Sequence, residues 1–100
     1  MMLMLVMSTL LFYDQGVNIT PYAYAIESIP QDCKVRIDIM KTKNKKYNGY
    51  AWFAGRIQIW DGNGLSNEEK GELIRHEIWH ACAKDNRRGS YEERERKASK

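Results

Sequence analysis

The sequence predicts a small α+β domain, in which a twisted sheet of three to four strands packs on one long helix and a short C-terminal helix follows. The chain has 100 residues, of which 43% are hydrophobic. This size and composition suit one domain over residues 1–100 with a single core. Alternating apolar residues predict strands in the first sixty positions, and an apolar repeat of four predicts a helix after Ser66.

The first segment, Met1 to Phe12, is almost wholly apolar, and two interpretations of it stay open. It is either the apolar region of a secretory signal, cleaved near Ala23-Tyr24-Ala25, or a buried first helix or strand. No basic residue precedes it and the cleavage candidate is distant, so we favour the buried element and a cytoplasmic location over a secreted one. A run of about 12 residues is too short to span a bilayer, which takes about 20.

The next elements are read from alternation. After the break at Asp14-Gln15-Gly16, a half-buried strand is expected to begin after Pro21 and to close at Pro30, because every second residue is apolar: Tyr22, Tyr24 and Ile26. A second strand with one face inward is expected from the alternation of Val35, Ile37 and Ile39 with Lys34, Arg36, Asp38 and Met40.

The segment from Tyr50 to Trp60 is rich in aromatic and β-branched residues and predicts a hairpin or a bulged strand, with the turn or bulge at Gly55. Ile57 and Ile59 point to one face. Arg56, Gln58 and Trp60 point to the other.

A helix is expected from about Asn67 to about Lys84, because Ser66 and Glu69 form a capping-box pattern. Its packing stripe recurs every four residues, at Ile74, Ile78 and Cys82. Gly71 weakens a helix by up to about 1 kcal/mol relative to Ala, which indicates a close contact there. A second capping-box pattern, Ser90 with Glu93, predicts a final helix through Ala98.

The two histidines carry the chemistry of the chain. His76 and His80 are four residues apart, so a helix directs both imidazoles at one metal ion. Glu77 lies one step round the helix, within reach of a water bound by that metal. These are the needs of zinc-assisted hydrolysis, in which a carboxylate takes the proton of the water as general base. The structural alternative is that both histidines are ordinary core or surface residues and that Glu77 makes a local ion pair.

A catalytic zinc needs a third protein ligand, and the chain has no third histidine. A carboxylate must therefore supply it. The final helix can fold back across the first and present one, and the downstream candidates are Asp85, Glu92, Glu93 and Glu95.

The motif His76-Glu77-Ile78-Trp79-His80 and the acidic helix after it resemble a gluzincin, and in particular the small single-domain metallopeptidases of phages and mobile elements. In several such families the third ligand stands in the pattern E-x-x-A-[DN]. Glu95-Arg96-Lys97-Ala98-Ser99 is similar to it, with Ser99 in the last position. The resemblance covers about Tyr50 to Ser99, and it implies that His76, His80 and Glu95 bind Zn²⁺ and that Glu77 is the general base.

The resemblance also implies a peptide or protein substrate that adds to the sheet at an edge strand, here the segment Ala51–Trp60. Trp52, Phe53 and Trp60 either line that crevice or belong to the core. Tyr91 either places a hydroxyl near the metal or only packs. The alternative function is a catalytically inactive zinc-binding protein, such as a phage modulator of a host protein.

Charge and cysteine content bound the remaining possibilities. A net charge of +3 gives no field strong enough to indicate nucleic acid, and interleaved glutamates offset the arginines of the C-terminal tail. The lysines at 41, 43, 45 and 46 predict a solvated loop in preference to a phosphate-binding patch. Cys33 and Cys82 fit no metal spacing and are either two buried thiols or a disulfide. We expect a monomer.

Overall fold

A computed structural model of the chain describes residues 9–52 and 55–82. The elements of this part are β1 (Thr9–Tyr13), α1 (Thr20–Glu27), β2 (Val35–Met40), β3 (Gly49–Trp52), β4 (Arg56–Trp60) and α2 (Asn67–Ala81), with a 3-10 turn at Asp61–Asn63. The strands form one mixed sheet in the order β1-β2-β4-β3, in which β3 runs antiparallel to β4 and the other pairs are parallel. The predicted α+β class is confirmed.

Both described helices pack on one face of the sheet, which we call the covered face. Its core is a cluster of isoleucines from the two central strands, each less than 2% exposed: Ile37, Ile39, Ile57 and Ile59. Tyr22 of α1 and Ile74 of α2 join this cluster and are fully buried. The inward pointing of alternate residues in β2 and β4 is as predicted from the sequence.

The segment after Pro21 is a helix, and the predicted strand there is wrong. Pro21 lies in the first turn of α1, where its fixed φ suits a helix and its missing N–H is not needed. Tyr22 is fully buried whereas Tyr24 is 83% exposed. A strand would place both side chains on the same face, so the exposures follow a helical period and not the period of two.

The hairpin is confirmed, with β3 and β4 joined around Gly55, whose φ is +80°. A Cβ at Gly55 would lie 2.8 Å from the carbonyl oxygen of Lys34, so both the backbone conformation and the space require glycine. The expectation that Ala51–Trp60 as a whole forms an edge is wrong. Within that segment only β3 is an edge strand, because β4 lies between β2 and β3.

The described part of the apolar N-terminal segment is the strand β1, at the opposite edge of the sheet. The expectation of a buried element holds only for one face of this strand. Leu11 packs against the core, but Leu10 and Phe12 are each about half exposed. An edge strand with one covered face buries alternate residues, which a uniformly apolar run does not reveal. Residues 1–8 lie outside the described part.

The start of α2 is as predicted. The Ser66 hydroxyl accepts from the Glu69 N–H at 3.1 Å, and the Glu69 carboxylate accepts from the Ser66 N–H at 2.8 Å. These bonds, the backbone one foremost, lower the pKa of Glu69. The helix is described to Ala81, so its expected end at Lys84 and the predicted final helix lie outside the described residues.

A buried polar cluster joins both helices to the 3-10 turn. The Tyr22 hydroxyl donates to Asp61 at 2.5 Å, and the Lys70 ammonium lies 2.9 Å from the same carboxylate oxygen. Burial, followed by the hydrogen bond to Asp61 and its charge, raises the pKa of Tyr22 well above its ordinary range. Close approach of the helices also depends on Gly71, where a Cβ would lie 3.3 Å from the Pro21 carbonyl oxygen. The close contact predicted at this glycine is confirmed.

In the part of the chain that the structure describes, the helices are too short or too polar to cross a membrane.

Candidate metal site on helix α2

The flank of α2 that carries the histidines lies on the side of the edge strand β3. Leu73 fixes this orientation, because its side chain reaches to within 3.1 Å of where a Cβ of Gly49 would stand at the start of β3. His76 and His80 follow Leu73 by three and seven residues, which is one helical face. The packing of α2 therefore turns the motif toward the open edge of the sheet.

The imidazole rings of His76 and His80 lie close together. Their ring centroids are 5.0 Å apart and their planes are inclined by 69°. The indole of Trp79 packs edge-on to His80 with centroids 5.1 Å apart. Neighbouring aromatic packing of this kind restricts the rotamers of an imidazole and so helps to fix its direction.

Glu77 and His80 are both buried, at 8% and 7% exposure, and His76 is partly exposed. Glutamate is among the residues least often buried unless it is paired, and histidine is intermediate. Ile74, fully buried one turn earlier, anchors the helix in the core below them. The site is thus open on the His76 side and closed on the His80 side.

The donor set fits zinc. Imidazole nitrogens are usual ligands of zinc, at about 2.0 to 2.1 Å, and the ring centroids of His76 and His80 lie 5.0 Å apart. Within residues 9–52 and 55–82 no group of three or more metal-binding side chains comes together. The proposed third ligand Glu95, with its alternatives at 85, 92 and 93 and with Tyr91, lies outside that part.

The cysteines form a disulfide, which decides between the two possibilities left open by the sequence. Cys33 lies in the loop that enters β2, and Cys82 directly follows α2, two residues after His80. The bond therefore ties the end of the helix that carries the motif to the loop beside α1. No spacing rule could have paired two cysteines separated by 49 positions.

A cavity of about 590 Å³ forms a groove on the opposite flank of α2, toward α1. Its lining includes Pro21 and Tyr24 from α1, and Gly71, Arg75 and Trp79 from α2. Neither histidine nor Glu77 lines it. The groove is therefore separate from the histidine pair.

The face of the sheet away from the described helices, which we call the open face, was not predicted from the sequence to be a candidate site. Asp38 was expected to point to solvent, but it is only 7% exposed because it lies between two arginines. Its two oxygens bind the Nε atoms of Arg36 at 3.2 Å and of Arg56 at 3.0 Å. The signal was the matching outward parity of Arg36 and Arg56, which gains meaning only when β4 is known to pair with β2.

Comparison of the chain with protein families, with curated proteins and with solved structures finds no match.

Proposed function

We propose that the chain is a zinc-dependent peptidase, in which His76, His80 and Glu95 bind the metal and Glu77 is the general base. The observation that carries this proposal is the pair of imidazoles 5.0 Å apart on one flank of α2. That separation suits one tetrahedral ion. Glu77 directly follows His76 in the chain and is buried, which adds support.

The chemistry divides between the metal and the chain. Bound zinc would acidify a water molecule and polarise the carbonyl of the scissile peptide bond. Glu77 takes the proton from the attacking water and delivers it to the leaving amine, so that a poor leaving group departs as a neutral amine.

The edge strand β3 offers a place for the substrate. It is the strand next to the histidine flank, and one of its sides carries no neighbouring strand within the described residues. An extended peptide that paired with this side would gain main-chain hydrogen bonds and would run past the metal ligands. The substrate class supported by this arrangement is an extended segment of a peptide or protein.

Metal content tests the site. The parent protein is expected to bind about one zinc ion per chain, and His76→Ala is expected to lose it. Arg75→Ala is the matched control, because Arg75 is an exposed neighbour on the same helix. Elemental analysis after reconstitution with zinc gives the answer. Absence of zinc from the parent, or equal zinc in His76→Ala, would remove the proposal.

Glu77→Gln tests the mechanism. The amide keeps the shape of the carboxylate but does not accept the proton, so hydrolysis in a peptide-library assay should fall by about 10² to 10⁴ while zinc is retained. Glu72→Gln, an exposed position of the same helix, should leave both unchanged. Zinc binding without hydrolysis in the parent, with a closed four-ligand site by X-ray absorption, would favour the zinc-binding interaction protein instead.

The disulfide also bears on the compartment. Cysteines of cytoplasmic proteins are normally kept reduced, so the Cys33–Cys82 bond favours an oxidising compartment over the cytoplasm expected from the sequence. Protein isolated without reductant from its natural source should then contain no free thiol in a denaturing thiol assay. Two free thiols per chain would restore the cytoplasmic expectation.

A further inference from the structure

The open face carries two rows of side chains that cross all four strands. The strand register aligns Leu10, Arg36, Arg56 and Trp52 in the first row, and Phe12, Asp38, Gln58 and Tyr50 in the second. The first row ends in Trp52 on β3, and the second has an aromatic side chain at each end, Phe12 on β1 and Tyr50 on β3. The positions between them hold the polar and charged groups.

Contacts within these rows hold the side chains in place. The Arg36 guanidinium lies 4.8 Å from the centroid of the Phe12 ring, and the Trp52 indole N–H donates to Gln58 at 2.7 Å. Tyr50 packs edge-on to Trp52 with ring centroids 4.7 Å apart. The face is thus an ordered platform, and its outer members remain accessible: Phe12 is 49% exposed and Trp52 46%.

The aromatic side chains of β3 are continued by Tyr47, which lies in the loop between β2 and β3. This loop is basic. Tyr47 lies 4.9 Å from Tyr50 between ring centroids, and the Lys46 ammonium lies 5.3 Å from the Tyr47 ring. Lys46 belongs to the exposed loop that follows β2, in which residues 41–46 include four lysines and no acidic residue. The loop is exposed as predicted, and it adds positive charge at one end of the open face.

The net charge of the whole chain does not reveal the charge of the open face. The strands contain two arginines and one carboxylate, Asp38, whereas α2 contains four glutamates and only two basic residues. Acidic charge is therefore concentrated on the helical layer and basic charge on the open face and its loop. A net charge of +3 averages the two and says little about either.

Both arginines keep donors for a ligand. Asp38 takes only the Nε of each guanidinium, and the terminal nitrogens make no hydrogen bond to another described residue. The side chains of Arg36 and Arg56 are 54% and 46% exposed, whereas that of Asp38 is 10% exposed. Asp38 thus orients the two guanidinium groups without presenting much negative charge to the solvent.

We propose that the open face binds single-stranded nucleic acid. Bases stack on Phe12 at one edge and on Tyr50 and Trp52 at the other, and the phosphates between them contact Arg36 and Arg56. This combination of aromatic stacking surfaces with a basic track is the general means of holding single strands without sequence preference. The expectation that nucleic acid is not a partner is replaced by this proposal.

The dimensions of the face suit a short segment. β1 and β3 are three strand spacings apart, or about 14 Å. The platform therefore corresponds to the lower end of the range of about 4 to 16 nucleotides that single-strand binding folds cover. A duplex presents its bases only at groove edges, so the stacking surfaces would gain nothing from it.

The test is fluorescence anisotropy with labelled oligothymidylate and oligouridylate of about 12 nucleotides, with the matching duplex as comparison. Single strands are expected to bind more tightly than duplex, and the two single-stranded probes distinguish DNA from RNA. Affinity should fall with salt, by about 0.7 in the logarithmic slope for each phosphate contacted. Arg36→Gln should reduce that slope by about one such step.

Variants at the two edges decide whether the open face is the site. Phe12→Val and Trp52→Val keep residues suited to a strand, and each should weaken binding by about 5- to 150-fold through lost stacking. Tyr24→Ala is the matched control, because Tyr24 is 83% exposed and lies on α1, away from the open face. Circular dichroism of each variant verifies the fold.

Four results would overturn the proposal. The first is no binding in low salt. The second is binding that responds to Arg87→Gln and Arg88→Gln in the tail but not to the edge variants. The third is equal competition by polyglutamate, which would mean that charge alone acts. The fourth is that Phe12→Val loses self-association, measured by sedimentation, while its oligonucleotide binding is unchanged. That result would assign the face to a second copy of the chain. Glu77→Gln should leave binding intact, so this test is independent of the peptidase.

Discussion

The two faces of the sheet are built from the same strands but differ in how far their side chains are buried. On the covered face Ile37, Ile39 and Ile57 are almost completely removed from water. On the open face Arg36 and Arg56, which directly precede Ile37 and Ile57 in their strands, have side chains that remain about half exposed. The covered face holds α2, and with it the histidine pair, in position. Among the described residues, those of the open face contribute little to the core.

This difference implies that substitutions of neighbouring residues in one strand should have unlike consequences. Changes on the covered side should lower the free energy of unfolding and should disturb the proposed metal site through α2. Changes on the open side should leave stability nearly constant and alter binding. Three experiments can break or sharpen this comparison.

The disulfide should show the largest effect, because it fastens the helical layer of the covered side. It closes a loop across 49 positions, and chain entropy alone then predicts a loss of about 4 kcal/mol in the free energy of unfolding on its removal. Urea denaturation of the Cys33→Ser, Cys82→Ser double variant measures this loss. Reductant should destabilise the parent equally and the double variant not at all. A parent insensitive to reductant would contradict the bond.

Ile57 and Gln58 provide the most direct comparison, since they are consecutive in β4 and point to opposite faces. Ile57→Ala removes a fully buried side chain from the centre of the core and should cost about 2 to 5 kcal/mol. Gln58→Ala on the open face should change stability by about 0.5 kcal/mol or less. Thermal and urea denaturation test both. Similar losses for the two would mean that the open face is also packed in solution.

Tyr22→Phe should have a smaller effect, about 2 kcal/mol, because it removes a buried hydrogen bond to a carboxylate. The raised pKa of Tyr22 adds a pH dependence. Above about pH 10 the unfolded chain loses the tyrosine proton while the folded chain keeps it, so this contribution is complete below that pH and declines above it.

The stability difference between parent and Tyr22→Phe should therefore shrink as the pH rises above about 10. Tyr50→Phe on the open face is the control, since its hydroxyl makes no hydrogen bond to another described residue. That variant should match the parent at every pH. A difference that stays constant through the alkaline range would show that Tyr22 is not held protonated.

The elements that the sequence predicted well are those whose signal is local. The capping box of Ser66 and Glu69 satisfies backbone groups within one turn, so its pattern is sufficient to start α2. The alternation in β2 and the glycine at the hairpin turn are local in the same sense. The spacing of His76 and His80 predicted that their rings would lie together, because four residues make about one helical turn.

The α1 segment shows where local reasoning failed. Tyr22, Tyr24 and Ile26 satisfy a strand period, but Tyr22 and Ile26 also satisfy a helical one, and Pro21 suits the first turn of a helix. What decided between them was the core. A helix lets the Tyr22 hydroxyl reach Asp61, 39 positions later, and lets α1 pack against α2 at Gly71.

The sequence by itself determined the α+β class, the helix that carries the motif and the identity of two metal-binding candidates, because these follow from periodicity and from groups within one turn. Only the tertiary structure decided which strand is an edge, that Cys33 meets Cys82, and that Arg36, Asp38 and Arg56 meet on one face. These features join residues far apart in the chain. Their formation depends on strand order and register, which no local pattern encodes.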